Sequence, residues 1–191
     1  DADFLIISSH KLGGPKGVGA LVSRGEVLMP VSLIRGGGQE KGHRSGTENL
    51  AAILGFGAAA AVALAELEDR MARIGALRDR LEAGLRIAAA DVIIHGADVL
   101  RVANTCFFSL PGLKSETGQI AFDLEGVAVS AGSACSSGKV GESHVLAAMG
   151  CDPKLGALRL SLGASSTEAD VERVVAAFVK IAGRRKATEA A

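Results

Sequence analysis

The sequence predicts an α/β fold, on three observations. A short, apolar, β-branched run, Phe4–Ile7, ends at a glycine-rich turn. A long helical pattern spans Leu50 to Leu85, and after it short β-type runs alternate with helical ones. The first run raises the question of function. Its continuation, "SSHKLGGPKGVGAL" (8–21), places His10 and Lys11 at the C-terminal end of a strand, where charged side chains commonly face a ligand crevice. Apolar on both faces, Phe4–Ile7 reads as a buried strand that needs neighbours on both sides. The chain has no initiator Met and opens only a few residues before that strand. The expectation is therefore the C-terminal part of something longer.

The elements follow in order. Val18–Ser23 reads as a second strand, and an edge strand is possible near Val27–Ile34. "RGGGQEKGHRSGTEN" (35–49) suits neither strand nor helix. Thr47 looks like an N-cap with Glu48 in the first turn. Leu50–Leu64 is small and apolar, as in a buried helix. Leu64, Leu67, Met71, Ile74, Leu77, Leu81 and Leu85 then recur at steps of three or four, an amphipathic stripe. The change near Ala65 marks a domain boundary. Val92–Ile94, Thr105–Leu110, Val127–Ser130 and Ala157–Leu162 read as strands, and Glu116–Leu124 and His144–Met149 as helices. The last helix opens at Thr167 with Asp170 three residues on, close to a capping box. It buries Val171, Val174, Val175, Phe178 and Ile181, and the polar tail after Arg184 is expected to fray. The second half is thus an α+β domain.

Composition narrows the classes. Lys plus Arg equals Asp plus Glu, 21 each, without a basic block, which disfavours nucleic acid or an anionic membrane as partner. With no Trp or Tyr, a base-stacking platform is not expected. No apolar stretch has transmembrane length, and no signal peptide precedes the first strand. Three cysteines without CxxC spacing make neither a disulfide framework nor a zinc site, so the expected setting is reducing and cytoplasmic.

Several residues can carry chemistry. "GGPKGVG" lacks the Gly-Lys-Ser/Thr of a phosphate-binding P-loop, and "GFGAAA" (55–60) lies in a helical stretch rather than a strand-to-helix turn. Lys11 is either a solvated charge among turn-forming glycines or a lysine able to form a Schiff base. Ser8, His10 and Thr47 can donate hydrogen bonds to a phosphate. Cys106, inside "NTCFFSL", reads as a buried small hydrophobe. Cys135, in "SAGSACSSG" (130–138), sits in a loop with little to pack, which favours a nucleophile or sulfur carrier. Cys151, after Gly150 and before Asp-Pro, reads as incidental. Arg159, alternating with Leu158 and Leu160, is either a two-pronged carboxylate clamp or a strand arginine facing solvent or an internal acid. His43, His95 and His144 show no metal-ligand spacing; His95 and His144 read as structural or surface residues.

Taken together, "SSHKLGGPKGVGAL", "RGGGQEKGHRSGTEN", "NTCFFSL", "SAGSACSSG" with "ESHVLAAMG", and "LRLSLG" resemble the cysteine desulfurases of the NifS/IscS type, in the class V aminotransferase group of fold-type I pyridoxal-phosphate enzymes. The motifs fall in family order across nearly the whole chain. The resemblance implies that residues 1–65 are the end of the cofactor-binding large domain and residues 66–191 the small C-terminal domain. It implies pyridoxal 5'-phosphate as cofactor, held through the Lys11 amine, with Ser8 and His10 on its phosphate and Thr47 on the phosphate of the other subunit of a homodimer. It gives Arg159 the substrate carboxylate and makes Cys135 the nucleophile that takes the sulfur of L-cysteine as a persulfide. An iron–sulfur scaffold or another sulfur acceptor would be the partner, and Cys135 could transiently ligate a cluster with that scaffold; no resident metal is implied. The Cys135 loop lacks the shortening of the SufS-like branch. Gln39 stands where related sequences often have His, and His43 where some have Met. The family's ring-pairing aspartate and ring-stacking histidine lie upstream of any residue here, so the fragment alone is expected to be inactive. Two rival readings are another class V aminotransferase-type enzyme, which needs no mobile thiol, and a non-catalytic fragment that binds partners or dimerises.

Overall fold

The computed structural model describes residues 2–25, 29–131 and 143–189, with side chains to residue 185. It divides into two compact units, Asp1–Glu68 and Asp69–Ala191.

In the first unit, β1 (Phe4–Ser8) pairs antiparallel with β2 (Gly19–Ser23), Ser8 opposite Gly19. A 3-10 turn, Ser9–Leu12, leaves the end of β1, and helix α1 (Leu50–Ala65) packs on it. Both expectations of burial here are corrected. The β1 strand forms, but Phe4 and Leu5 are exposed and Ile6 is 88 % exposed. One partner strand satisfies one edge and covers neither face, so the apolar pattern that predicted a central strand finds nothing among this unit's described residues to bury it. Of α1 only Ala52 is buried, on the side where Gly55 meets Pro15, while Leu54 and Leu64 stay exposed. The N-cap is Asn49, not Thr47. Its side-chain oxygen accepts from the Ala52 N–H at 3.2 Å, which leaves Glu48 before the helix rather than in its first turn. Met29–Ile34, the described part of the possible edge strand, has no strand.

In the second unit, α2 (Leu67–Ala88) follows a break at Glu66, its first two residues falling in the first unit. A four-stranded antiparallel sheet has the order β3-β4-β6-β5, from β3 (Ile93–Ile94), β4 (Thr105–Ser109), β5 (Ser130–Ala131) and β6 (Ala157–Ser161). Three more helices complete it: α3 (Ser115–Leu124), α4 (His144–Ala148) and α5 (Glu168–Glu189). Strand alternation sends Cys106, Phe108, Leu158 and Leu160 to one face, where they meet Leu77, Leu81 and Leu85 of α2 and Val171, Phe178 and Ile181 of α5. Phe108, Phe122 and Phe178 form the aromatic centre, the first edge-on to the other two, which stack on each other.

The amphipathic stripe is buried from Ile74 onward, whereas Leu64 and Leu67 are exposed. The capping box forms: the Asp170 carboxylate accepts from the Thr167 N–H (3.0 Å) and hydroxyl, and the Thr167 hydroxyl accepts from the Asp170 N–H. These bonds to Thr167 hold the Asp170 carboxyl below the usual carboxylate range. Two other expectations move. Val127–Val129 are not strand, because pairing with β6 begins only at Ser130, and the last helix continues past Arg184 to Glu189. Arg184 and Lys180 both reach Glu125, and Arg185 reaches Asp91, so α5 is tied down as far as Arg185.

Candidate active site

In the first unit the Lys11 turn is built from its backbone outward. Ser9 is fully buried, and its N–H donates to Val18 O at 3.2 Å, fastening the turn to the chain entering β2. Gly13 closes the turn at φ 97, a left-handed conformation that a side chain would strain. With three residues per turn, Ser9 and Leu12 face inward and His10 and Lys11 outward. Ser8 Oγ and His10 Nδ1 are hydrogen-bonded at 2.9 Å, so the imidazole is oriented with its Nε2 left for another partner. A hydroxyl, an oriented imidazole and an exposed primary amine thus stand on four consecutive residues, a donor set that suits a phosphorylated aldehyde. Pyridoxal phosphate fits these residues by its chemistry: the amine for its carbonyl carbon, the hydroxyl and imidazole for its phosphate. Sequence reading passed over Ser9, whose buried Oγ has no hydrogen-bond partner among the described residues.

The loop from Arg35 to Asn49 braces itself. Ser45 Oγ donates to Arg35 O at 2.9 Å, the Gly46 N–H donates to Gln39 Oε1, and Arg44 donates to Gly46 O and pairs with Glu40. Glu40 and Lys41 both hold positive φ (51 and 56), a conformation non-glycine residues adopt at a cost of about 1–2 kcal/mol each. Thr47, its capping role taken by Asn49, is exposed at the end of this loop.

In the second unit, Arg159 lies in the middle of β6, opposite Phe107 of β4 and Ser130 of β5. Leu158 and Leu160 face the helices, so Arg159 faces the other side of the sheet. Its guanidinium is largely unspent. Nη2 is 3.5 Å from Ser130 Oγ, Nε is buried with no hydrogen-bond partner, and among the described residues no carboxylate pairs with it. Among the described residues there is no internal acid of the kind the alternative reading of Arg159 requires. Cys135 lies outside the described residues, so its place in the fold is not part of this geometry.

Three further side chains gather on the same sheet face, and the sequence reading joined none of them. His95, 6 % exposed, shares a 2.7 Å hydrogen bond between Nε2 and Ser109 Oγ, and its ring packs at a tilt on Phe107. Cys151 Sγ lies 3.7 Å from His95 Nδ1, so the cysteine read as incidental has a partner. Burial pushes the His95 pKa down. Cys106 is the buried hydrophobe expected, its thiol pushed up to about 12 chiefly by burial. Nothing in sequence spacing could have joined residues 95, 109 and 151, because β3–β4 pairing and the turn after α4 bring them together. Among the described residues, no group of three or more His, Cys, Asp or Glu is placed to hold a metal ion, and no single helix is long and apolar enough to cross a membrane.

The sequence profile described as aminotransferase class-V matches residues 1–174. The chain belongs to the class-V aminotransferase family. Its relatives within that family include an IscS-like cysteine desulfurase of Mycobacterium tuberculosis, 44 % identical over 87 % of this chain and 43 % of that protein. A cysteine desulfurase of Bradyrhizobium diazoefficiens is 44 % identical over 99 % of this chain and 48 % of its own length. Among solved structures, the NifS-like protein of Rickettsia africae superposes with a TM-score of 0.80 at 36 % identity, over 94 % of this chain and 47 % of that one. The class-V chain therefore spans under half the length of these relatives, and it carries the α/β architecture of a NifS-like structure.

Proposed function

We propose that the chain is the C-terminal portion of a pyridoxal 5'-phosphate-dependent cysteine desulfurase, which converts L-cysteine to L-alanine and passes the sulfur to Cys135 as a persulfide. The observation that carries this reading is the half-buried Arg159, whose guanidinium has a buried, unpartnered Nε and no carboxylate partner among the described residues. A desolvated, unpaired guanidinium is costly unless a carboxylate completes it, and a bidentate bond to an amino-acid carboxylate is the fitting occupant. The desulfurases among its relatives support the choice of L-cysteine over another amino acid.

Each residue then has a task. The Lys11 amine holds the cofactor and afterwards moves protons at Nζ. Ser8 Oγ and His10 donate to the phosphate, and Thr47 donates to the phosphate bound by a second copy in a homodimer. Arg159 orients the substrate through its carboxylate. When bound, the cofactor supplies an electron sink for the bonds broken at the substrate's α- and β-carbons. Cys135, as thiolate, forms the new S–S bond as the substrate's carbon–sulfur bond breaks. The persulfide is then delivered to an iron–sulfur scaffold or another sulfur acceptor, in the cytoplasm, with neither nucleic acid nor membrane as partner. The chain alone, lacking the other half of its relatives' length, is inactive in this reading.

The test uses the whole protein. Borohydride added with pyridoxal phosphate is expected to fix the cofactor on Lys11, as mapped by peptide mass spectrometry. Cys135→Ala is expected to abolish sulfide release from cysteine. Arg159→Ala is expected to raise KM by about tenfold to a hundredfold, the loss of one charged hydrogen-bonded contact. Label at another lysine overturns the cofactor assignment. Unchanged sulfide release from Cys135→Ala overturns the desulfurase reading in favour of another class-V activity.

A further inference from the structure

We propose that Cys151, His95 and Ser109 form a reactive-thiol site, at which Cys151 undergoes thiol–disulfide exchange with low-molecular-weight disulfides and His95 acts as the base. The site uses none of the residues assigned to sulfur transfer and does not depend on that assignment.

Three elements build it. Ser109 ends β4 and is fully buried; His95 follows β3, with its backbone N–H donating to Phe107 O at 2.8 Å; Cys151 follows α4, with its N–H donating to Leu146 O at 2.9 Å. The Ser143 N–H donates to Pro153 O at 2.9 Å, so the segment carrying Cys151 is closed on itself. With both backbones fixed, the 3.7 Å approach of Sγ to Nδ1 is a held contact, within reach of a sulfur hydrogen bond. The Ser109 hydroxyl takes up Nε2 at 2.7 Å and keeps the ring turned with Nδ1 toward the sulfur. This is the logic of a nucleophile, a base, and a third group that orients the base.

Charge and access agree with that role. Burial favours the neutral imidazole, whose Nδ1 can take the Cys151 proton; Sγ lies within hydrogen-bond reach of both Nδ1 at 3.7 Å and Met149 O at 3.8 Å. Cys151 is partly exposed, whereas Cys106 is fully buried, so a small disulfide can reach the first and not the second. In the exchange, the Cys151 proton passes to His95 Nδ1 as Sγ attacks one sulfur of the disulfide. A new S–S bond forms on Cys151, the old one breaks, and the departing thiolate takes the proton back. No net oxidant is consumed beyond the disulfide itself. Because Phe107 and Ser109 alternate onto the face that also carries Arg159, the added group is placed on that face of the sheet.

The experiment treats the full chain, as Cys135→Ser, with oxidised glutathione near neutral pH and follows the mixed disulfide at Cys151 by peptide mass spectrometry. The same rate is measured in chain unfolded in urea, where His95 gives no help. The expected result is a native rate at least about tenfold above the unfolded one despite the lower exposure, within the range a positioned base supplies. His95→Gln is expected to remove that excess while Cys106 stays unmodified, which reports an intact core. Ser109→Ala, a milder change that leaves the imidazole but not its anchor, is expected to lower the rate in part. A native rate at or below the unfolded rate overturns the proposal without recourse to any variant. So does an unchanged rate in His95→Gln with Cys106 still protected.

Discussion

At the scale of residues, burial is what separates like from like. Cys106 and Cys151 are the same chemical group, yet the first is enclosed between Glu82, Arg101 and the core, and the second stands half open beside an imidazole. His95 makes the difference measurable. Its folded pKa lies below the ordinary 6.5, so between those values the unfolded chain binds the extra proton and the folded chain does not. Stability contributed by the neutral ring is complete above 6.5 and is lost as the pH falls through that value toward the folded pKa. The urea midpoint of the second unit's transition is therefore expected to drop between pH 7.5 and 5.5. His95→Gln, less stable at the higher pH, is expected to show a smaller drop; an equal drop would show that His95 contributes nothing to it. The fully buried Glu82 has a different remedy. Both its oxygens accept from Arg101, at 2.5 and 2.8 Å, and that pairing holds the Arg101 pKa above its usual value.

Elements are shaped by what they lie against as much as by propensity. Helices α2 and α5 approach closely at Gly84, where a Cβ would come within 2.5 Å of Val175 Cγ2. Arg80 at one end of that contact pairs with Glu168 and Glu172, and Arg73 donates to the carbonyls of Ala164 and Ser166. Gly84→Ala gains about 1 kcal/mol of helix propensity and forces a stiff, β-branched neighbour to move, at about 1–3 kcal/mol. The sum is expected to be destabilising or near zero, never the full propensity gain; thermal unfolding reads it directly. Helix α1 shows the converse case. Its cap and length follow from Asn49 and its small residues, while its apolar surface is left exposed because the unit offers only one side to pack on.

For the whole molecule, the two units differ in how completely they close. The second has a sheet of four strands with helices over one face and a single core of interlocked phenylalanines and aliphatics. The first has a two-stranded ribbon with exposed apolar residues, and isolated two-stranded ribbons are marginal in water. Amide hydrogen exchange is accordingly expected to be slowest in β4, β6 and the middle of α5, and faster by orders of magnitude in β1 and β2. Equal protection of β1 and β4 would overturn this ranking. Apolar residues of β1 and α1 stay exposed, Ile6 at 88 % and Leu64 at 75 % among them.

Local signals determined much of this protein. Periodicity placed α3 and α5 to within a few residues but gave one long helix over Leu50–Leu85, which the structure breaks at Glu66 into α1 and α2. The Thr167–Asp170 box marked the start of the last helix, and alternation in "LRLSLG" placed Arg159 between two core leucines. Those features depend on neighbours one to four positions away, which a sequence displays directly. Tertiary structure alone decided which apolar elements are covered, that Asn49 rather than Thr47 caps α1, and that strand pairing starts at Ser130. It alone brought Cys151 to His95 and placed no carboxylate on the Arg159 guanidinium among the described residues. Burial, register and charge pairing are properties of surfaces that meet across tens of residues, and periodicity along one strand or helix says which face is apolar but not what, if anything, will cover it.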